Sequence, residues 1–150
     1  MRVVLQRVAS AGVKIDGATV ADIGRGLLVL LGIARGDAPA DAAWLAQKIA
    51  TLRIFPDEQG QMNRSVVDVA GGILVVSQFT LHASTRKGAR PSYNDAAKPD
   101  VAIPLYDEFI LQAQTALGRL VQSGRFGAMM QVSLVNDGPV TIIIDSKTRE

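Results

Sequence analysis

The stretch "SLVNDGPVTIII", residues 133–144, decides how the C-terminal third of this chain is to be folded. Read locally, it is two apolar runs with the look of buried strands, joined by Asn136-Asp137-Gly138-Pro139. Those four residue types dominate turns. The segment is therefore expected to form two strands, "AMMQVSLV" and "VTIIID", around a turn. One residue resists that reading. Pro139 stands at the mouth of the second strand, yet it has no N–H to give to a sheet ladder.

Working outward, the chain has 150 residues, 48% of them hydrophobic and 20% charged. That composition suits one compact globular domain with a real core, spanning residues 1–150. No apolar run approaches the ~20 residues of a membrane helix. "MRVVLQRV" lacks the apolar stretch and small-residue cleavage site of a secretory signal. With no cysteine, disulfides, thiolate nucleophiles and Cys-based metal sites are ruled out, and a cytoplasmic location is expected. The net charge of +2 is too small to argue for nucleic acid by itself. Local charge says more: "TRKGARPS" sets Arg86, Lys87 and Arg90 within five residues.

The periodicities place the elements. "RVVLQRV" reads as an N-terminal strand, and "GVKIDG" with "TVADIG" as a hairpin closed near Asp16-Gly17. "GLLVLLGI" is a continuous apolar run bounded by glycines, the pattern of a strand buried on both faces. Asp37 is the expected N-cap of a helix with Pro39 in its first turn. Trp44, Leu45, Lys48, Ile49 and Leu52 follow helical spacing in it. "GGILVVSQFTL" is a further core strand. A second helix is expected over roughly 101–122, carrying Leu105, Phe109, Ile110, Ala113, Leu117, Leu120 and Val121 on one face and stopped by Gly124. The order is mixed α+β: a mostly antiparallel sheet or open barrel with two main helices packed on it.

The chemical inventory is short. His82 is the only histidine, so a multi-His metal site is impossible. Neither a P-loop nor a dinucleotide-binding glycine pattern occurs. What remains is hydroxyl and amide groups at a strand end. If "SQFTLHAS" continues as strand, Ser77, Phe79 and Leu81 share one face, and Gln78, Thr80 and His82 the other. Such a row caps a strand or lines a cleft. The basic loop that follows would then set Lys and Arg beside that cleft, as proteins position nucleic-acid phosphates.

"SQFTL" at 77–81 together with "NDGPVT" at 136–141 resembles the paired signature motifs of the D-aminoacyl-tRNA deacylases. "MRVVLQRV", "IGRGLLVLLGI", "LRIF", "MNRSV", "TRKGARPS" and "SGRFGAMMQVSLVNDGPVT" follow in family order. The resemblance covers essentially the whole chain. Two positions depart from it or carry no family pattern: Tyr93, where Phe is expected, and His82. The resemblance implies a homodimer with interface active sites. It implies hydrolysis of the ester between a D-amino acid and the 3′-terminal adenosine of tRNA, with glycine as a second substrate, and no cofactor. Ser77, Gln78, Phe79 and Thr80 are its implied catalytic segment. Gly138 and Pro139, joined by a cis bond and accompanied by Arg7 and Met129, form its implied filter against L-residues. Arg86, Lys87 and Arg90 are the tRNA-binding candidates.

An aminoacyl ester is already activated, so a placed water, a held oxyanion and orientation suffice. Thr80 as a nucleophile would need a base. The favoured route has the ribose 2′-hydroxyl help to activate water, with N–H groups near Phe79 and Thr80 on the carbonyl oxygen. Two other classes compete: a non-catalytic tRNA- or DNA-associated dimer, and a stand-alone relative of the threonyl-tRNA synthetase editing domain.

Overall fold

The computed structural model describes residues 1–149. Strand β1 (Arg2–Ile15) turns at Asp16-Gly17 into β2 (Ala18–Ile23), the expected hairpin, and β3 (Gly26–Gly32) follows. Helix α1 (Pro39–Thr51) comes next, then a small β4–β5 ribbon (Phe55–Pro56 and Met62–Arg64) and strand β6 (Gly72–Ser77). A 3-10 turn (Phe79–His82), helix α2 (Pro99–Leu117), β7 (Gln122–Ser123) and β8 (Gln131–Asp145) complete the chain. The main sheet runs β2-β1-β3-β6-β7, with β8 on the other edge of β1. β3–β6 and β6–β7 are parallel, and the pairings of β1 are antiparallel.

The β3 run is buried on both faces, as its unbroken apolar sequence requires. Leu27, Val29 and Leu31 face the helices with Ile73 and Val75 of β6. Leu28 and Leu30 pack on the other side with Leu74 and Val76. That second cluster fills the inside of a curl, because β2 comes round against β6 and β7. The sheet is thereby nearly closed. β1 serves both clusters: Val3 and Leu5 face the helices, whereas Ala11 and Val13 face the inner cluster. The register break between Val8 and Ser10, where β1 carries one residue more than β8, switches the side-chain parity between those halves.

The helices pack on the Leu27–Val29–Leu31 face. Their boundaries differ from the sequence expectation. Ala38, not Asp37, precedes α1, and the Asp41 carboxylate reaches back to accept the Ala38 N–H at 2.9 Å. Asp37 is engaged elsewhere, accepting from the Ala34 N–H at 2.7 Å and from the Met1 ammonium at 2.5 Å. Helix α2 ends at Leu117 because Gly118 adopts a left-handed conformation with φ 73°. Leu120 lies beyond the helix and is exposed, and Gly124 donates its N–H to the Val75 carbonyl at 3.0 Å instead of stopping a helix. Among the described residues no helix is long and apolar enough to cross a membrane.

The main correction concerns residues 128–145. They do not form two strands around a turn: Gln131–Asp145 make one 15-residue strand, β8, paired along almost all of β1, and residues 128–130 precede it. Asn136 pairs with Val8 and Thr141 with Gln6, so residues 137–140 stand opposite Arg7 alone. Turn-forming residues here make a bulge, not a reversal. Pro139 sits in that bulge, outside the ladder, where no N–H is required of it.

Candidate functional site

β6 stops at Ser77, so the strand reading of "SQFTLHAS" fails after its first residue. Its partner β3 ends at Gly32, and β7 pairs only with Leu74 and Val75. Beyond Ser77 there is no ladder to extend. Gln78 donates its N–H to the Leu31 carbonyl at 2.8 Å, and the chain then closes into the 3-10 turn. That turn lies directly on Gly32, where a Cβ would meet the Gln78 oxygen and the Leu81 Cβ at 3.0 Å and the His82 ring at 3.1 Å. Glycine permits the approach.

The turn is closed by N–H groups from Leu81 onward, Leu81 donating to the Gln78 carbonyl at 3.2 Å and Ala83 to the Thr80 carbonyl at 3.0 Å. A turn closed this way has no internal acceptor for the N–H groups of Phe79 and Thr80. The Thr80 hydroxyl accepts from Gln78 Nε2 at 2.5 Å. His82 is buried, and its Nε2 has no partner among the described residues. No hydrogen bond joins it to Thr80.

Ser77, Gln78 and Phe79 line a cavity of about 330 Å³ at the end of β6. Leu31 and Val76 supply its sheet wall, Ala102 of α2 one side, and Phe126, Met129 and Met130 the other. Phe126 packs edge-on against Tyr106 at 5.8 Å between ring centres. Tyr106 is itself anchored by donating to the Val75 carbonyl at 3.2 Å. Burial pushes its phenol up to about 12, so it stays a neutral prop at any working pH. The cavity is thus mainly apolar, with hydroxyl, amide and main-chain groups at one end. Among the described residues no three His, Asp or Glu side chains gather to hold a metal ion.

The remaining sequence candidates fall in two other places. Arg7 is buried and donates from Nε to the Asp137 carbonyl at 3.0 Å and from a terminal nitrogen to the Ile54 carbonyl at 2.7 Å. It holds the bulge from beneath. Gly138 has φ 137°, a region closed to most side chains, and the Gly138-Pro139 peptide is cis. Both residues are exposed, and neither lines the cavity of its own chain. Arg86, Lys87 and Arg90 lie exposed in a loop whose base is pinned by two bonds between Ser84 and Ser92, at 2.8 and 2.9 Å. Sequence reasoning singled out Met129 but missed Phe126, Met130 and Ala102. These apolar residues carry no chemical signal, and only the fold sets them round one space.

Fold and cavity define a class: an α+β protein with a small cavity that has hydroxyl, amide and main-chain groups at a strand end. The family model described as D-Tyr-tRNA(Tyr) deacylase matches residues 4–145. The chain belongs to that family of hydrolases. A D-aminoacyl-tRNA deacylase of Opitutus terrae is 65% identical over 150 residues, and one of Parabacteroides distasonis 59%, each alignment covering all of both chains. Among solved structures, the "c-Myc DNA Unwinding Element Binding Protein" is similar with TM-score 0.92 and 41% identity, covering 97% of this chain and 98% of that one. A probable eukaryotic D-amino acid tRNA deacylase shares the fold, with TM-score 0.79 and 21% identity over 95% of this chain and 97% of that one.

Proposed function

We propose that this protein, as one deacylase domain, hydrolyses the ester joining a D-amino acid to the 3′-terminal adenosine of tRNA in the cytoplasm. Glycine is the proposed second acyl group, and no cofactor takes part. The observation that carries this reading is the cavity at the end of β6, lined by Ser77, Gln78 and Phe79. Its volume of about 330 Å³ sits at the small end of ligand pockets, and its apolar wall suits a purine and a short acyl group.

In the proposed reaction, water attacks the ester carbonyl while the substrate's 2′-hydroxyl helps to take its proton. The oxyanion is held by the N–H groups of Phe79 and Thr80, and collapse expels the 3′-oxygen, which leaves with a proton. Ser77 and Gln78 orient the substrate. Thr80 is an orienting residue, since its hydroxyl is already engaged by Gln78 at 2.5 Å.

Selectivity is assigned to Gly138 and Pro139, with Arg7 beneath them. D- and L-residues carry the same groups, and an apolar contact discriminates by only ~1–3 kcal/mol per methylene. Rejecting L-residues ~10³-fold takes about 4 kcal/mol, which a rigid main-chain wall supplies better than a side chain. Because the pair is exposed and stands outside its own cavity, it is assigned to the cavity of a second copy. The homodimer is supported by the apolar residues bared along and beside β8: Met129 is 92% exposed, Ile143 68% and Val135 58%.

Hydrolysis of D-Tyr-tRNA against L-Tyr-tRNA by the purified protein tests the reading. Cleavage of the D-ester with the L-ester spared is expected; no cleavage, or equal cleavage, overturns it. The DNA-associated alternative draws on the 41% identical "c-Myc DNA Unwinding Element Binding Protein". It is favoured instead if the protein retains duplex DNA and cleaves neither ester.

A further inference from the structure

Phe79 and Tyr93 are exposed aromatic side chains, 55% and 41% accessible. Their rings meet edge to face, 5.1 Å apart at 69°. Phe79 belongs to the cavity wall, whereas Tyr93 follows directly on Ser92, which closes the loop of Arg86, Lys87 and Arg90. The pair therefore bridges the pocket mouth and the basic loop.

Tyr93 sits on fixed backbone. Before it, Ser92 and Ser84 exchange two hydrogen bonds; after it, Ala96 bridges to Ala34, and Ala97 donates to the Ile33 carbonyl at 2.9 Å. The Tyr93 carbonyl accepts from Ala96 at 3.1 Å, closing the turn between those anchors. An edge-to-face pair leaves a ring face open. Rigid, exposed aromatic faces beside clustered cations are what single-stranded nucleic acids use, their bases stacking while the phosphates meet Lys and Arg.

Resting on the proposed function, we infer that Phe79 and Tyr93 form a stacking shelf for the penultimate base of the tRNA 3′ end. The terminal adenosine enters the cavity. The next nucleotide up the strand, ~3.4 Å away when fully stacked and farther when splayed, reaches the shelf. Its phosphates then run toward Arg86, Lys87 and Arg90. The shelf binds RNA through the two aromatic side chains, whereas Phe79 serves ester cleavage through its main-chain N–H, and it reads no sequence, because every base has a face to stack.

The test compares a one-nucleotide substrate, D-tyrosyl-adenosine, with the D-tyrosyl trinucleotide ending in CCA. Tyr93→Leu should raise KM for the trinucleotide on the order of tenfold with kcat held, and leave D-tyrosyl-adenosine unaffected. Tyr93→Phe should restore the trinucleotide KM. Equal losses on both substrates would show that Tyr93 only props Phe79, and an unchanged trinucleotide KM would remove the shelf. An uncharged trinucleotide with 2-aminopurine at the penultimate position supplies a readout independent of hydrolysis. Its fluorescence should be quenched by the wild-type protein and not by Tyr93→Leu; no quenching with wild type overturns the inference. If wild type quenches the probe but cleaves neither ester, the deacylase reading fails and the shelf stands.

Discussion

Arg7 and Asp137 meet across the break in the β1–β8 ladder, the guanidinium Nε donating to the Asp137 carbonyl at 3.0 Å with the Asp137 carboxylate 3.3 Å away. The same guanidinium donates to the Ile54 carbonyl at 2.7 Å. One buried side chain thus ties the Gly138-Pro139 bulge to the segment after α1. Hydrogen bonds to charged groups contribute ~1.5–3 kcal/mol each, and buried carbonyls left unpaired add to the cost of removing one. Arg7→Ala should lower unfolding free energy by about 2–4 kcal/mol in denaturant titration. Arg7→Lys, which loses the fork but keeps the charge, should fold and cleave L-Tyr-tRNA at a raised rate relative to the D-ester. An unchanged D/L ratio in folded Arg7→Lys would remove Arg7 from the filter.

Thr80 gives a kinetic prediction. Its hydroxyl accepts from Gln78, and no side chain among the described residues is hydrogen-bonded to take its proton. Thr80→Ala should slow D-Tyr-tRNA hydrolysis by no more than about tenfold, or ~1.4 kcal/mol of barrier. Replacing the terminal 2′-hydroxyl of the substrate with hydrogen should cost far more. Trapping an aminoacyl ester on Thr80 would overturn the water mechanism.

The basic loop predicts a salt effect. Replacing Arg86, Lys87 and Arg90 together with Ala should raise KM and flatten the dependence of log KM on log salt. For a single strand the slope should fall by about 0.7 for each phosphate no longer neutralised. D/L discrimination should be retained, because cations on the phosphates position the strand without reading the acyl group. A salt slope equal to wild type would return the loop to plain solvated surface.

Asp41 sets an acid-side stability term. Burial by itself would raise its carboxyl, but hydrogen bonds from Lys147 at 2.7 Å and the Ala38 N–H, with the Lys147 charge, hold it at about 2. An unfolded Asp titrates near ~3.9, so the stabilisation is complete above that pH and is lost as pH falls toward about 2. Lys147 is half exposed, which keeps the pair to ~1 kcal/mol or less. Lys147→Met should therefore lower the denaturation midpoint slightly at pH 7, and the difference from wild type should shrink on titration from about pH 4 to about pH 2. A constant difference across that range would show that the pair does not contribute.

Prolonged EDTA treatment followed by gel filtration should leave D-Tyr-tRNA hydrolysis within twofold of the untreated rate. Loss of activity restored by a divalent cation would replace the metal-free mechanism.

Where an element's identity is carried by its own residues, it was legible from sequence. The unbroken apolar run of β3 can only be satisfied by burial on both faces, and Asp16-Gly17 suits a two-residue hairpin turn. The helical spacing of Leu45 with Ile49 and of Leu105 with Phe109 marked the faces that pack on the sheet. Of the site candidates read from the sequence, Ser77, Gln78, Phe79 and Met129 are brought by the fold to one cavity. What the tertiary structure decided was where strands end and which distant residues meet. "SQFTL" has the composition of a strand, yet it leaves the sheet at Ser77 because β3 and β7 offer no partner beyond it. "NDGP" has the composition of a turn, yet it forms a bulge because β1 runs on past it, pairing both flanks. Phe126 and Arg7 acquire their places only from chain segments far away in sequence. Side-chain periodicity is local information, whereas ladder pairing and cavity walls depend on packing between remote segments, and only the folded chain specifies those.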